Sequence, residues 1–242
     1  MTEDEIRAIL DAPDDPTRVV FDIAGQTVDA LELVLEHLQR VPARAMSWKW
    51  ALIGMHAALQ GSFGLVLRRT DGAQLLIPDQ ERQFWQRVQL ERTTGSPEPM
   101  GYVTKAGKPQ EPQIDWFLNL FEKVQDPDRM KHFNGVPLRP TPEQMENIGL
   151  LHSHRGILIH FSDTMLVLTV AEMLDVIMTG LAIVEILLTK TQGMAEDVLS
   201  GALDMIVDSV NADRARELIV AIQSELVAVR DRYGPQAPDQ SR

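Results

Sequence analysis

The chain has 242 residues, 44% of them apolar, no cysteine and a formal charge of −12. That length suits one large domain or two small ones with a real core. The lack of cysteine excludes disulfides, thiol nucleophiles and thiolate metal sites, and favours a cytoplasmic home. The acidic balance argues against a protein that coats nucleic acid through a broad basic face, though not against a small basic cleft.

Residues 1–22 read as a peripheral acidic segment. The opening MTEDEIRAILDAPDD has neither the basic start nor the apolar run of a signal peptide, and Asp11-Ala12-Pro13-Asp14-Asp15-Pro16 breaks any short helix before it. A single helical domain is expected over 23–232, with a core over 25–190 and C-terminal helices over 194–230. A polar tail, 233–242, is expected to be disordered.

From Thr27, the residues Leu31, Val34, Leu35 and Leu38 recur at helical spacing, and Pro42 ends the pattern. Ser47 is a plausible N-cap for a helix over 48–68, in which Trp48, Ala51, Leu52, Met55 and Leu59 form a stripe. Gly54, Ala57, Ala58 and Gly61 let neighbours approach, so this helix is read as central. Residues 80–92 carry Phe84, Trp85 and Val88 as a further helix, and 93–112 read as a long irregular loop. Ile114 to Val124 is the next helix, and 126–140 an irregular connection. Thr141-Pro142-Glu143-Gln144 is a strong helix start, with a capping threonine, proline at the first position and glutamine at the capping-box position. That helix is expected to reach His160. Thr169-Val170-Ala171-Glu172 opens another, to about Lys190. Further helices fall near 194–208 and 212–230, the last with a stripe of Ala215, Leu218, Ile219, Ile222, Leu226 and Val229. Met165 to Leu188 is strongly apolar, but Glu172, Asp175 and Glu185 make it a buried core helix rather than a membrane span. No alternation is long enough to carry a sheet, so the fold class is an all-α bundle of about six or seven helices with one long internal loop.

Four of the six histidines (His132, His152, His154 and His160) fall between 131 and 160, the least acidic part of the chain. With Arg155 at zero on a helical wheel, His152 lies at about +60° and His160 at about +140°, on one arc, while His154 and Asn147 lie at about −100° and −80°. Arginine holds phosphate through a rigid fork, histidine exchanges protons near neutral pH, and the 2′-hydroxyl of RNA is an internal nucleophile. This arc therefore suits metal-free phosphodiester chemistry, set against the blander reading of a C-terminal capping histidine and a surface arginine. No pair among His152, His154 and His160 has the i,i+4 spacing of a helical metal site, so no metal and no cofactor are expected. His56, among small and apolar neighbours, reads as a core or groove histidine with one satisfied nitrogen. Trp48, Trp50, Trp85 and Trp116 read as core rather than as base-stacking platforms.

The run Asn147-Ile148-Gly149-Leu150-Leu151-His152-Ser153-His154-Arg155-Gly156-Ile157-Leu158-Ile159-His160-Phe161 resembles the signature helix of the HEPN superfamily, an arginine and a histidine a few residues apart near the end of a long helix. Trp48 to Gly61 resembles the second helix of a bacterial, defence-linked branch, and the likeness covers about 25–190. The resemblance implies a HEPN-like bundle, a homodimer joined at the Arg/His helices, and metal-independent RNA cleavage of a toxin or anti-phage type. Arg155 would hold the scissile phosphate and His160 would assist proton transfer, with His152, Asn147 and Asp163 in support. A neutralising antitoxin or a regulatory protein would be a further partner, and no membrane is expected. The residue after the arginine is commonly polar in active members. Here it is Gly156, which leaves room for the alternative of a non-catalytic dimer that binds protein or RNA.

Overall fold

A computed structural model describes residues 23–68, 73–95, 101–131, 136–160, 167–190 and 209–233. The expectations for 1–22, for a helix near 194–208 and for the tail beyond Tyr233 lie outside the described residues. Among those described there are eight α-helices: α1 (Ile23–Arg40), α2 (Ser47–Arg68), α3 (Pro78–Thr94), α4 (Phe117–Lys123), α5 (Pro127–Lys131), α6 (Pro142–His160), α7 (Val170–Lys190) and α8 (Ser209–Tyr233). The chain is an all-α bundle.

Local rules set several of these boundaries. At the start of α6, Thr141 N–H donates to Gln144 Oε1 (2.9 Å) and Gln144 N–H donates to Thr141 Oγ1 (3.2 Å). The same reciprocal box opens α7, through Thr169 and Glu172. The stripe expected in α8 is buried at all six positions, from Ala215 to Val229.

The helix α2 lies at the centre, packed on α1, α6 and α7. Its window Ser47–Leu67 is long and apolar enough to cross a bilayer, yet 72% of it is buried in the bundle. The small residues act as expected at Gly61, where a Cβ would come within 2.1 Å of Thr27 Oγ1 on α1. That hydroxyl donates to Ile23 O at 2.6 Å, so it cannot swing away without losing a bond. The acid-bearing helix α7 is also core, with Met173, Leu174, Val176, Ile177, Leu181, Ile183, Val184 and Leu187 buried.

Three expectations are corrected. The helix placed at 114–124 begins at Phe117, because the backbone before it pairs with the segment after α2. Ile77 N–H donates to Gln113 O (3.0 Å) and Asp115 N–H donates to Leu75 O (2.7 Å), which leaves Ile114 extended and exposed. The connection 126–140 contains α5, whose Asp126-Pro127 start is a cap signal; Asp126 Oδ1 accepts from Asp128 N–H at 2.9 Å. In the stretch read as one loop, α3 runs on to Thr94 and ends on Gly95 in the left-handed region. Beyond it, Tyr102–Val103 and Pro109–Gln110 form a two-stranded antiparallel hairpin.

The hairpin segment is clipped to α3 by two glutamines one turn apart. Gln80 donates to Glu111 O (2.8 Å) and accepts from Gln113 N–H (2.7 Å). Gln83 does the same with Val103 O (2.7 Å) and Val103 N–H (2.9 Å). Each side-chain amide thus stands in for a missing strand. Beneath them, Lys123 of α4 is buried, donating to Gln74 O (2.9 Å) and Leu76 O (2.8 Å) and pairing with Asp115 (2.8 Å) and Glu81 (3.3 Å). Glu81 also meets Arg129 of α5.

Candidate active site

The last turns of α6 pass α2 and α4, and there a cluster forms around Arg155. His56 of α2 is buried, and its Nε2 lies 3.1 Å from Nδ1 of His152, so the two rings share a hydrogen bond. Two lone pairs cannot face one another at that distance, so one of these nitrogens carries the proton. Phe117, the first residue of α4, stacks on both rings: its centroid is 3.9 Å from His56 and 5.3 Å from His152, and it lies within 3° of parallel to the latter. A spacing of 96 residues separates the hydrogen-bonded histidines, so only the fold brings them together.

The electrostatics favour neutral imidazoles. Burial, the Arg155 guanidinium and then His152 push His56 down to about 3. Burial and Arg155 also lower His152. The cation is therefore close enough to act on both rings, and no described carboxylate pairs with it. Arg155 is half-buried, so its charge is partly screened yet still reachable.

The residues singled out in the sequence divide. His152 stands beside Arg155, as the wheel placed it. His154 points to the opposite side and is buried; burial lowers its pKa, and Glu172 of α7 partly offsets this. Asn147 donates to Thr179 Oγ1 on α7 (2.9 Å) and ties the two helices together. His160 closes α6, but its side chain, like Asp163, lies outside the described residues. Among the described residues nothing lies within 4 Å of a Cβ built on Gly156, so it marks no close contact with a described helix. Among the described residues, no group of three His, Asp or Glu side chains could hold a metal ion.

His56 and Phe117 complete this cluster. His56 has the expected burial and satisfied nitrogen, but its partner is the very histidine that flanks Arg155. A lone imidazole in an otherwise small and apolar helix was the signal. Phe117 has the spacing of one more stripe residue, with no signal in the sequence for its place against the two histidines. The tryptophans also need correction. Trp48 is core, but Trp50 (44% exposed), Trp85 (40%) and Trp116 (76%) reach solvent. Trp116 sits on an open cleft with Ile77, Pro78, Ile114 and Asn119. It is exposed because it precedes α4, where the chain is still extended and Phe117 takes the inward position.

No protein-family model, curated protein or solved structure matches the chain.

Proposed function

We propose that the protein is a HEPN-like, homodimeric, metal-independent endoribonuclease of a toxin or anti-phage defence type, acting in the cytoplasm. In this reading Arg155 holds the scissile phosphate and His160 moves a proton, with His152 beside them. A neutralising or regulatory protein partner belongs to the same proposal. The observation that carries it is the half-buried Arg155 guanidinium set beside two imidazoles held neutral, with no described carboxylate to quench it. Such a cation binds a phosphodiester through its fork, and a neutral imidazole is the form that accepts a proton. The RNA supplies its own nucleophile.

The test is cleavage of single-stranded RNA in EDTA. The expected products carry 2′,3′-cyclic phosphate and 5′-hydroxyl ends. Arg155→Ala and His160→Ala should each abolish cutting, and unchanged cutting in either would remove its assigned role. Sedimentation of the intact protein tests the dimer.

A second reading, a non-catalytic HEPN-like dimer that binds RNA or protein, is favoured by two features. Gly156 offers no side chain to a phosphate, and the cleft around Trp116 presents an apolar surface to a partner. In that case Trp116→Ala abolishes capture of the partner, while Arg155→Ala leaves growth arrest in an inducible assay unchanged.

A further inference from the structure

Metal-free cleavage of RNA through its 2′-hydroxyl moves two protons. One leaves O2′ as it attacks phosphorus, and one arrives on O5′ as the P–O5′ bond breaks. Arginine cannot supply either at neutral pH, because its guanidinium does not release a proton there. Within one protomer the Arg155/His160 pair thus provides one proton-transfer group where the reaction uses two.

We propose that His152, braced by His56, is the second proton-transfer group of this site. The proposal rests on the ribonuclease reading above. On α6, His152 and His160 are eight residues apart, about 12 Å along the axis, with Arg155 between them. His152 Nδ1 and His56 Nε2 share one hydrogen bond, and with its proton on His152 Nδ1, the tautomer this proposal requires, the lone pair of His152 Nε2 is left for the substrate. His56 is itself held flat against Phe117 and buried, so its ring is fixed in place beside His152. This is the arrangement of a base oriented by a third group. His56 touches no substrate and is a positioning residue.

The step balances as follows. The O2′ proton passes to His152 Nε2, and the O2′ electron pair forms the new P–O2′ bond. The P–O5′ pair departs with O5′, which takes a proton from protonated His160. Arg155 holds the non-bridging oxygens throughout. His152 then returns its proton to water and His160 regains one. The charged and titratable groups near the His56–His152 pair are few. Arg155 on α6 acts on both rings, α4 offers the uncharged Phe117, and the rings act on each other. Among the described residues, no carboxylate influences either ring.

The experiment uses full-length protein, single-stranded RNA with EDTA, and ¹⁵N-histidine spectra of the same samples. His152→Ala and His152→Gln should lower cleavage at least about 100-fold with RNA binding unchanged, and should remove the acid limb of the pH–rate profile. His56→Phe, which keeps the stack but cannot accept, should cost at least about 10-fold and let both His152 tautomers appear. His56→Gln, whose amide oxygen accepts, should keep cleavage near wild type and His152 in one tautomer. The wild-type spectrum should show His152 neutral at pH 7 with the proton on Nδ1. Melting curves of each variant separate loss of chemistry from loss of fold. If the wild type cuts RNA and His152→Ala cuts equally well, this inference falls and the ribonuclease reading stands. If the wild type does not cut, both fall. A wild-type spectrum with the proton on Nε2 overturns the base role whatever the rates.

Discussion

Replacing Lys123 by methionine removes the buried cation that holds α4 against the segment after α2. Four groups lose a partner: the carbonyls of Gln74 and Leu76 and the carboxylates of Asp115 and Glu81. The Asp115 side chain is fully buried, so its charge has no water to turn to. Breaking one side of a buried pair costs about 3–5 kcal/mol, and an orphaned buried carbonyl about 1 kcal/mol more. Methionine regains some packing, and Asp115 keeps its bonds from Trp116 N–H (2.9 Å) and Asn119 Nδ2 (2.8 Å). The net loss at pH 7 is therefore about 4 kcal/mol, or about 10 °C in Tm for a chain of this size.

The pH dependence carries a second signature. Burial opposes ionisation of Asp115, but Lys123, Asn119 and the Trp116 N–H outweigh it and hold the carboxyl below its usual range. A depressed folded pKa gives stability that is present above the unfolded value of about 3.9 and lost as pH falls through the folded one. In Lys123→Met burial dominates instead, so protonation relieves the variant as pH falls. The gap between the two proteins should narrow towards about pH 4. Urea unfolding at several pH values measures it, and Asp115→Asn added to Lys123→Met should recover at least about 2 kcal/mol. A gap below about 1 kcal/mol at pH 7, or one that does not narrow, refutes the reasoning. Because Phe117 opens the same helix, the variant should also shift the His56 and His152 ring signals.

Three further outcomes are expected. Gly61→Ala drives a Cβ against Thr27 Oγ1 and should cost about 1–2 kcal/mol in chemical unfolding despite alanine's better helix propensity, with most of it returned by Thr27→Ala in the double variant. Gln80→Ala should release the hairpin segment, so the Gln113 amide exchanges faster while amides of α2 and α7 keep their rates; equal protection of Gln113 in both proteins would count against the clip. His56 is folded in its neutral form, pushed down to about 3, whereas in the unfolded chain it titrates near about 6.5. Its contribution is whole above that value and is lost as pH falls towards 3, so about 2 kcal/mol should disappear between pH 7 and pH 5, a slope that His56→Gln abolishes.

Local rules were legible in the residues themselves. The two capping boxes, the six-residue stripe of α8 and the proline-bounded end of α1 depend on neighbours within a few positions, and the chain states them directly. The arc shared by Arg155 and His152 follows from helical pitch in the same way. What the sequence could not state is which distant groups meet. Ile114 and Asp115 have the pattern of a first helical turn, but on either side of Ile114 the Gln113 carbonyl accepts from Ile77 N–H and Asp115 N–H donates to Leu75 O. Trp116 and Phe117 are adjacent aromatics, and only the docking of α4 turned one to solvent and the other onto two histidines. His56 was an isolated imidazole in an apolar helix, and contact across 96 residues made it the brace of the residue beside Arg155. Periodicity fixes the direction in which a side chain leaves its own helix. What it meets depends on how the helices are arranged, a choice made by the packing of the whole core.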